Sequence, residues 1–143
     1  EQQNVIDGKG RASAETTLHI EIIKKLKCSA VLHTHSIYAT VLSDHFEKQA
    51  AIRLEGWEML KGIKGISTHE TSINIPIVAN NQNMKELSRV VYTYLNSNIP
   101  GILVAGHGLY AWGDSLAEAQ RHVEILEFLL SAVWHKQLLP PVR

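Results

Sequence analysis

The chain has 143 residues, 45% of them hydrophobic, which is the size and composition of one globular domain able to bury a core. Lys plus Arg and Asp plus Glu balance at 14 each, excluding the broad basic footprint of a non-specific nucleic-acid binder but leaving room for a local phosphate pocket. Cys28 is the only cysteine, which excludes an intrachain disulfide and points to a reducing, cytoplasmic setting, and no apolar run approaches the roughly 18 residues of a membrane span.

The opening Glu1-Gln2-Gln3-Asn4 has neither the charged start nor the apolar stretch of a signal peptide. It also lacks Met, as a processed protein or a piece of a longer chain does. Asp7-Gly8-Lys9-Gly10-Arg11 reads as a basic, turn-rich loop. Ser13 is placed to cap a helix over Ala14 to Lys27, in which Leu18, Ile22 and Leu26 share a face and Lys24, Lys25 and Lys27 suit the C-terminal end of the dipole. Ala30-Val31-Leu32 predicts a buried strand running into His33-Thr34-His35, with Ser36 capping the stretch Ile37 to Leu42. A second helix is expected over Leu54 to Lys61, stopped by Gly62. Ile75 to Val78 reads as a strand that Pro76 confines to an edge or an end. Met84 to Asn96 predicts a helix, Asn98 to Gly101 a break, and Ile102 to Ala105 a strand. After Gly106-His107-Gly108 comes a further strand, Leu109 to Trp112. The last helix carries Ser115 and Glu118 at capping-box spacing and an apolar stripe of Leu116, Ala119, Val123, Leu126, Leu130 and Val133.

Helices alternating with short strands define an α/β layered domain. The strands on either side of Gly106 to Gly108 are too close in the chain for a parallel crossover, so they pair antiparallel and the sheet is mixed or mainly antiparallel. That hairpin, and the absence of a G-x-G-x-x-G run, weigh against a Rossmann domain.

Side chains two apart on a strand share a face, so His33 and His35 aim at one point while Thr34 faces away. Such a pair suits a metal held at about 2.0–2.1 Å, and neutral imidazole accepts Zn, Cu, Fe or Ni. The same pair is also what two polar residues at a strand end look like. His107 adds weight: it lies between two glycines directly after an apolar strand, where glycine permits unusual backbone angles and close approach. Three histidines at the ends of two apolar strands compose an open metal site with room for water or substrate. His19 and His122 within helices, His45 and His69 in connecting segments, and His135 near the C-terminus are expected to be ordinary surface or satisfied histidines.

Chemistry on a sugar at such a site also requires a proton carrier. Glu15 stands in the first turn of a predicted helix, where its charge is favoured in any case. Glu58 lies in the largely apolar Leu54 to Leu60 segment, where a raised carboxyl pKa would suit an acid. Trp57, Tyr110 and Trp112 read as core or pocket walls, and Cys28 as a small buried residue. Lys9 to Arg11, with Ser13 and the helix start behind them, form a candidate phosphate grip.

Four stretches in order along the chain resemble the class II aldolase/adducin family: Ala12-Ser13-Ala14-Glu15-Thr16, Leu32-His33-Thr34-His35-Ser36, Trp57-Glu58-Met59-Leu60-Lys61-Gly62-Ile63, and Ala105-Gly106-His107-Gly108-Leu109-Tyr110-Ala111-Trp112-Gly113. The resemblance implies a three-layer αβα fold with a mixed, mainly antiparallel sheet, and a single domain over 1–143 that lacks the family's usual N-terminal segment. It implies one zinc ion per subunit on His33, His35 and His107, with Glu58 and Glu15 as catalytic carboxylates. Ser13, Lys9 and Tyr110 are implied as substrate contacts. It implies a zinc-dependent lyase on a small phosphorylated sugar-like substrate: dehydration of 5-methylthioribulose 1-phosphate in methionine salvage, in a cytoplasmic homotetramer. Retro-aldol cleavage of a ketose 1-phosphate is the alternative on the same site, and a non-catalytic, adducin-like interaction module is the alternative without it.

Overall fold

A computed structural model describes residues 5, 7, 9–95 and 98–140. Its first regular element is helix α1, Thr16–Leu26. Strand β1 follows at Ala30–Thr34, helix α2 at Ile37–His45 and strand β2 at Ala51–Glu55. Strand β3 covers Ser72–Val78, helix α3 Met84–Tyr94, strand β4 Gly101–Val104, strand β5 Gly108–Gly113 and helix α4 Leu116–Leu138. Short 3₁₀ turns occupy Glu47–Gln49 and Glu58–Gly62.

The five strands form one sheet in the order β1-β5-β4-β3-β2, with β3 and β4 parallel and the other three pairs antiparallel. Strand alternation sends neighbouring side chains into two separate cores. Leu109 and Ala111 of β5 and Leu103 of β4 join Ala39 and Leu42 of α2 and Ile125, Leu126, Leu129 and Leu130 of α4. Tyr110, Trp112, Ile102 and Val104 point the other way, onto Leu18 and Ile22 of α1 and Leu87 and Val91 of α3. The result is the three-layer αβα arrangement with a mixed, mainly antiparallel sheet. Cys28 is buried, and burial pushes its thiol pKa up. No helix among the described residues is long and apolar enough to cross a membrane.

Several sequence expectations need correction. The helix expected over Leu54 to Lys61 is the end of β2, a turn and a 3₁₀ segment. Ile52 and Leu54 are buried while Arg53 and Glu55 face solvent, a period of two that a window opening at Leu54 cuts in half. Gly56, at φ +71°, turns the chain out of the strand. Pro76 sits in an internal strand, paired with Ala51 of β2. Ile77 donates to the Ala50 carbonyl, so by alternation the missing Pro76 donor faces β4, whose ladder engages only Ile77 and Val78. Helix α1 starts at Thr16 rather than Ala14, and the Ser13 hydroxyl accepts from the Glu15 amide instead of capping it. Helix α3 ends at Tyr94, and the expected end at Asn96 lies outside the described residues. Leu116 is 64% exposed, so the buried stripe of α4 is Ala119, His122, Ile125, Leu126, Leu129 and Leu130.

Ser115 and Glu118 do cap α4: the Ser115 hydroxyl accepts from the Glu118 amide at 3.1 Å, and the Glu118 carboxylate accepts from the Asp114 amide at 2.6 Å. The β4–β5 turn depends on two glycines. Gly106 adopts φ +62°, and a Cβ on Gly108 would stand 2.1 Å from the Thr34 carbonyl oxygen. Backbone cannot yield there as a flexible side chain can. Gly108→Ala is therefore expected to destabilise the domain by about 1–3 kcal/mol or more, read as a lower midpoint in urea. An unchanged midpoint would mean that β1 can move away from β5.

Candidate metal centre

The β1–α2 turn, the β4–β5 turn and the start of α1 meet at one end of the sheet. His33, next to last in β1, has its ring stacked on Tyr110 of the adjacent β5, centroids 3.9 Å apart and planes 15° apart. Its Nδ1 lies 2.9 Å from the Leu109 carbonyl, an acceptor, so the proton sits on Nδ1 and Nε2 presents a lone pair outward. His35, two residues on, brings its Nε2 to 2.7 Å from that of His33. His107 brings its own Nε2 to 3.3 Å from His33 and 3.0 Å from His35. Glu15, immediately before α1, places Oε1 at 3.1 Å from His107 Nε2, 3.6 Å from His33 and 4.0 Å from His35.

Four ligand-type atoms thus lie within 4.8 Å of one another. Nitrogens bound at about 2.0–2.1 Å to one tetrahedral ion stand roughly 3.3 Å apart. The observed spacings match that edge or fall somewhat short of it, and lone pairs so close repel unless a proton or cation lies among them. The donor set of three imidazoles and a carboxylate suits a divalent transition metal, and the residues fit one. His107 Nδ1 is buried with no partner among the described residues, so its outer support differs from that of His33.

Hydroxyl groups hold the two ligand-bearing turns. The Ser36 hydroxyl accepts from the Ala39 amide at 3.0 Å, capping α2 as expected. Thr40 of α2 donates to the His107 carbonyl at 3.1 Å. Fully buried Ser43 shares its one hydroxyl proton between the carbonyls of Thr40 and Val104 and accepts from the Gly106 amide at 3.1 Å. Glu127 of α4 accepts from the Thr34 hydroxyl at 2.7 Å and from the Ser36 hydroxyl. Glu127 is not among the residues that the sequence motifs single out. The available signal was a lone carboxylate within Ile125-Leu126-Glu127-Phe128-Leu129-Leu130.

The other sequence-derived site residues are placed differently. Glu58 lies outside the four-residue cluster, exposed on its 3₁₀ turn, and pairs with Lys61 at 2.6 Å and His69 at 3.3 Å. Trp57, Met59 and Phe128 do line a shallow pocket with it, but the carboxyl stays exposed and its pKa is not raised. The Lys61 hydrogen bond instead lowers it, helped by the charges of Lys61 and His69. Tyr110, expected to touch substrate or a subunit interface, is fully buried behind His33. Burial and the nearby Glu15 charge push its hydroxyl pKa well up. Lys9 is exposed, and so is Ser13, whose hydroxyl lies 3.5 Å from Glu15 Oε2. His122 is a satisfied core histidine between the Trp112 carbonyl and the Lys64 amide.

Burial lowers the pKa of His19 and of His33 below the ordinary 6.5, against the opposing pull of Glu15 in each case. Both groups are depressed on folding, so the unfolded chain binds more protons below that value. Their contribution to stability is present above pH 6.5 and lost as pH falls toward the depressed values. Thermal melts in chelator should show Tm falling from pH 7 to pH 5. A flat profile would mean that neither ring is held neutral by burial.

This cluster belongs to a recognised kind of domain: residues 1–134 match the class II aldolase and adducin N-terminal domain, and the chain is a member of that family. It is 46% identical over 130 residues to a methylthioribulose-1-phosphate dehydratase of Parvibaculum lavamentivorans, covering 89% of this chain and 64% of that protein. It is 48% identical over 122 residues to the enzyme of the same name from Stenotrophomonas maltophilia, covering 84% of this chain and 57% of that one. The chain thus spans about three fifths of the length of these curated relatives. Among solved structures, an L-fuculose-1-phosphate aldolase from Thermus thermophilus superposes with a TM-score of 0.69 at 24% identity, over 92% of this chain and 66% of that one. The putative aldolase/epimerase/decarboxylase YgbL of Escherichia coli superposes at 0.68 and 25% identity, over 92% and 60%. These likenesses establish the fold and the family.

Proposed function

We propose that this chain carries the metal centre of a lyase that removes water from 5-methylthioribulose 1-phosphate, yielding 2,3-diketo-5-methylthiopentyl 1-phosphate. The observation that carries the reading is the convergence of His33, His35 and His107 Nε2 with the Glu15 carboxylate, in a chain whose named relatives are dehydratases of this substrate. His33, His35 and His107 are the ligands and zinc the preferred ion, since open zinc sites keep three protein ligands and a vacancy. A divalent ion there supplies a Lewis acid for negative charge developing on substrate oxygen.

The chain's own residues then handle protons. Glu15, beside the ligands, is assigned to take the C3 proton. Glu58 is assigned to protonate the departing C4 hydroxyl, so that water leaves and the resulting enol ketonises to the diketone. That second role requires substrate to part Glu58 from Lys61 and to exclude water, because the lowered pKa keeps the carboxyl ionised at neutral pH. Ser13 and Lys9 are assigned to the phosphate end. The enzyme is read as a cytoplasmic homotetramer, the assembly the family resemblance implies.

A second reading draws on one observation. Glu15 sits within the ligand cluster, and a glutamate at this position is what class II sugar-phosphate aldolases keep by resemblance. That favours retro-aldol cleavage of a ketose 1-phosphate. Product analysis separates the two. The zinc-loaded protein given 5-methylthioribulose 1-phosphate should release a diketone phosphate and one water. Two smaller carbon fragments from a ketose 1-phosphate, with no diketone, would assign it to the aldolases.

A further inference from the structure

We infer that Glu127 is a positioning residue for the metal centre, tying α4 to the β1–α2 turn and, through α2, to the turn that carries His107. The inference rests on the reading of His33, His35 and His107 as ligands. Thr34 lies between His33 and His35 and faces away from them, and Ser36 directly follows His35. Glu127 takes the hydroxyl of each on a separate carboxylate oxygen, Oε1 from Thr34 at 2.7 Å and Oε2 from Ser36. One carboxylate on a 23-residue helix therefore holds a side-chain hydroxyl on each side of His35.

Among the described residues, no lysine, arginine or histidine forms an ion pair with Glu127. Its two hydroxyl donors are its hydrogen-bond partners, and hydrogen bonds to a charged acceptor are stronger than neutral ones. The grip extends further. Ser36 caps α2, and Thr40 and Ser43 on that helix hold the His107 carbonyl, the Gly106 amide and the Val104 carbonyl. Displacing the start of α2 would therefore displace His107 relative to His33 and His35. Ligand geometry is sensitive to such support: losing an outer partner of a metal ligand commonly weakens metal binding about 10–100-fold.

The alternative is that Glu127 merely helps dock α4. Zinc affinity, measured by competition with a chromophoric chelator, separates these readings when compared with stability. Glu127→Ala should weaken zinc binding about 10–100-fold. Glu127→Gln should recover most of that loss, because its amide accepts from one hydroxyl and donates to the other. Val123→Ala, also on α4, should lower Tm and leave affinity unchanged. Wild-type affinity in Glu127→Ala would overturn the inference, and so would an equal loss in Val123→Ala. Should Glu127→Ala fail to fold, Thr34→Val removes one arm of the grip and should still weaken binding. If the wild-type chain takes up no zinc, the ligand reading fails. The clamp is then judged by amide hydrogen exchange over residues 34–39, which Glu127→Ala should accelerate while α1 and α3 stay protected. Unchanged exchange there would end the proposal.

Discussion

His107→Ala is expected to abolish stable metal binding, raising the zinc Kd by at least about 100-fold, since even outer partners of a ligand are worth about 10–100-fold. His107 reaches the cluster from the β4–β5 turn, whereas His33 lies in β1 and His35 directly after it. Without His107, two imidazoles remain, and a third ligand could come only from Glu15, whose carboxylate lies 3.6 and 4.0 Å from them and which is assigned to proton transfer. Zinc at about 100 times its Kd should stabilise the wild-type chain by about 2.7 kcal/mol. That corresponds to roughly 8 °C in Tm for a chain of this size. The variant should show none of that gain. Its metal-free Tm should stay close to wild type, because the lost ring is partly exposed and its buried Nδ1 has no partner among the described residues. Elemental analysis and melts with and without zinc give the answer. A variant that keeps one ion per chain would move the metal centre elsewhere.

Glu15→Gln should lower kcat by about 10²–10⁴-fold, the range a positioned acid or base contributes. Glutamine preserves the size of the side chain but can neither take nor return a proton. Glu58→Gln is expected to reduce turnover by about 10²-fold or more while leaving zinc affinity unchanged, since Glu58 stands apart from the ligand cluster. Steady-state kinetics beside zinc titration of both variants separates the roles. Full turnover in Glu58→Gln would leave Glu15 as the proton carrier for both steps. Full turnover in Glu15→Gln would reduce it to a charge beside the metal. The environments already differ: Glu15 faces three imidazoles, and Glu58 is held by Lys61 and His69 at the surface.

Local chemistry made much of this legible in the chain. Period-two spacing pointed His33 and His35 to one place, although β1 ends at Thr34 and His35 stands just beyond it. Glycine at 106 and 108 marked a positive φ and a close backbone approach, and Ser115 with Glu118 marked the start of α4. A short link between two apolar runs required the antiparallel β4–β5 pair. Most of these depend on interactions within a few residues, where propensity and pattern act directly; the Gly108 approach is to Thr34 of β1, far back along the chain. The failures have an equally local cause. The alternation around Leu54 begins at Ile52, before the segment that looks helical, and Pro76 fits an internal strand because its missing donor faces β4, whose ladder engages only Ile77 and Val78.

What the sequence by itself determined was the set of ligand-type residues and the elements that carry them. Tertiary structure decided which carboxylate joins the histidines. Glu15 does so because α1 packs beside β1 and β5, bringing together residues 92 positions apart in the chain. Glu58, favoured on sequence, is turned to solvent because its segment is a 3₁₀ turn after β2 and not an apolar helix. Glu127 was invisible for the same reason. Its partners lie 91 and 93 residues away, and only the packing of α4 against the back of β1 makes that carboxylate a support for the ligands on the other face.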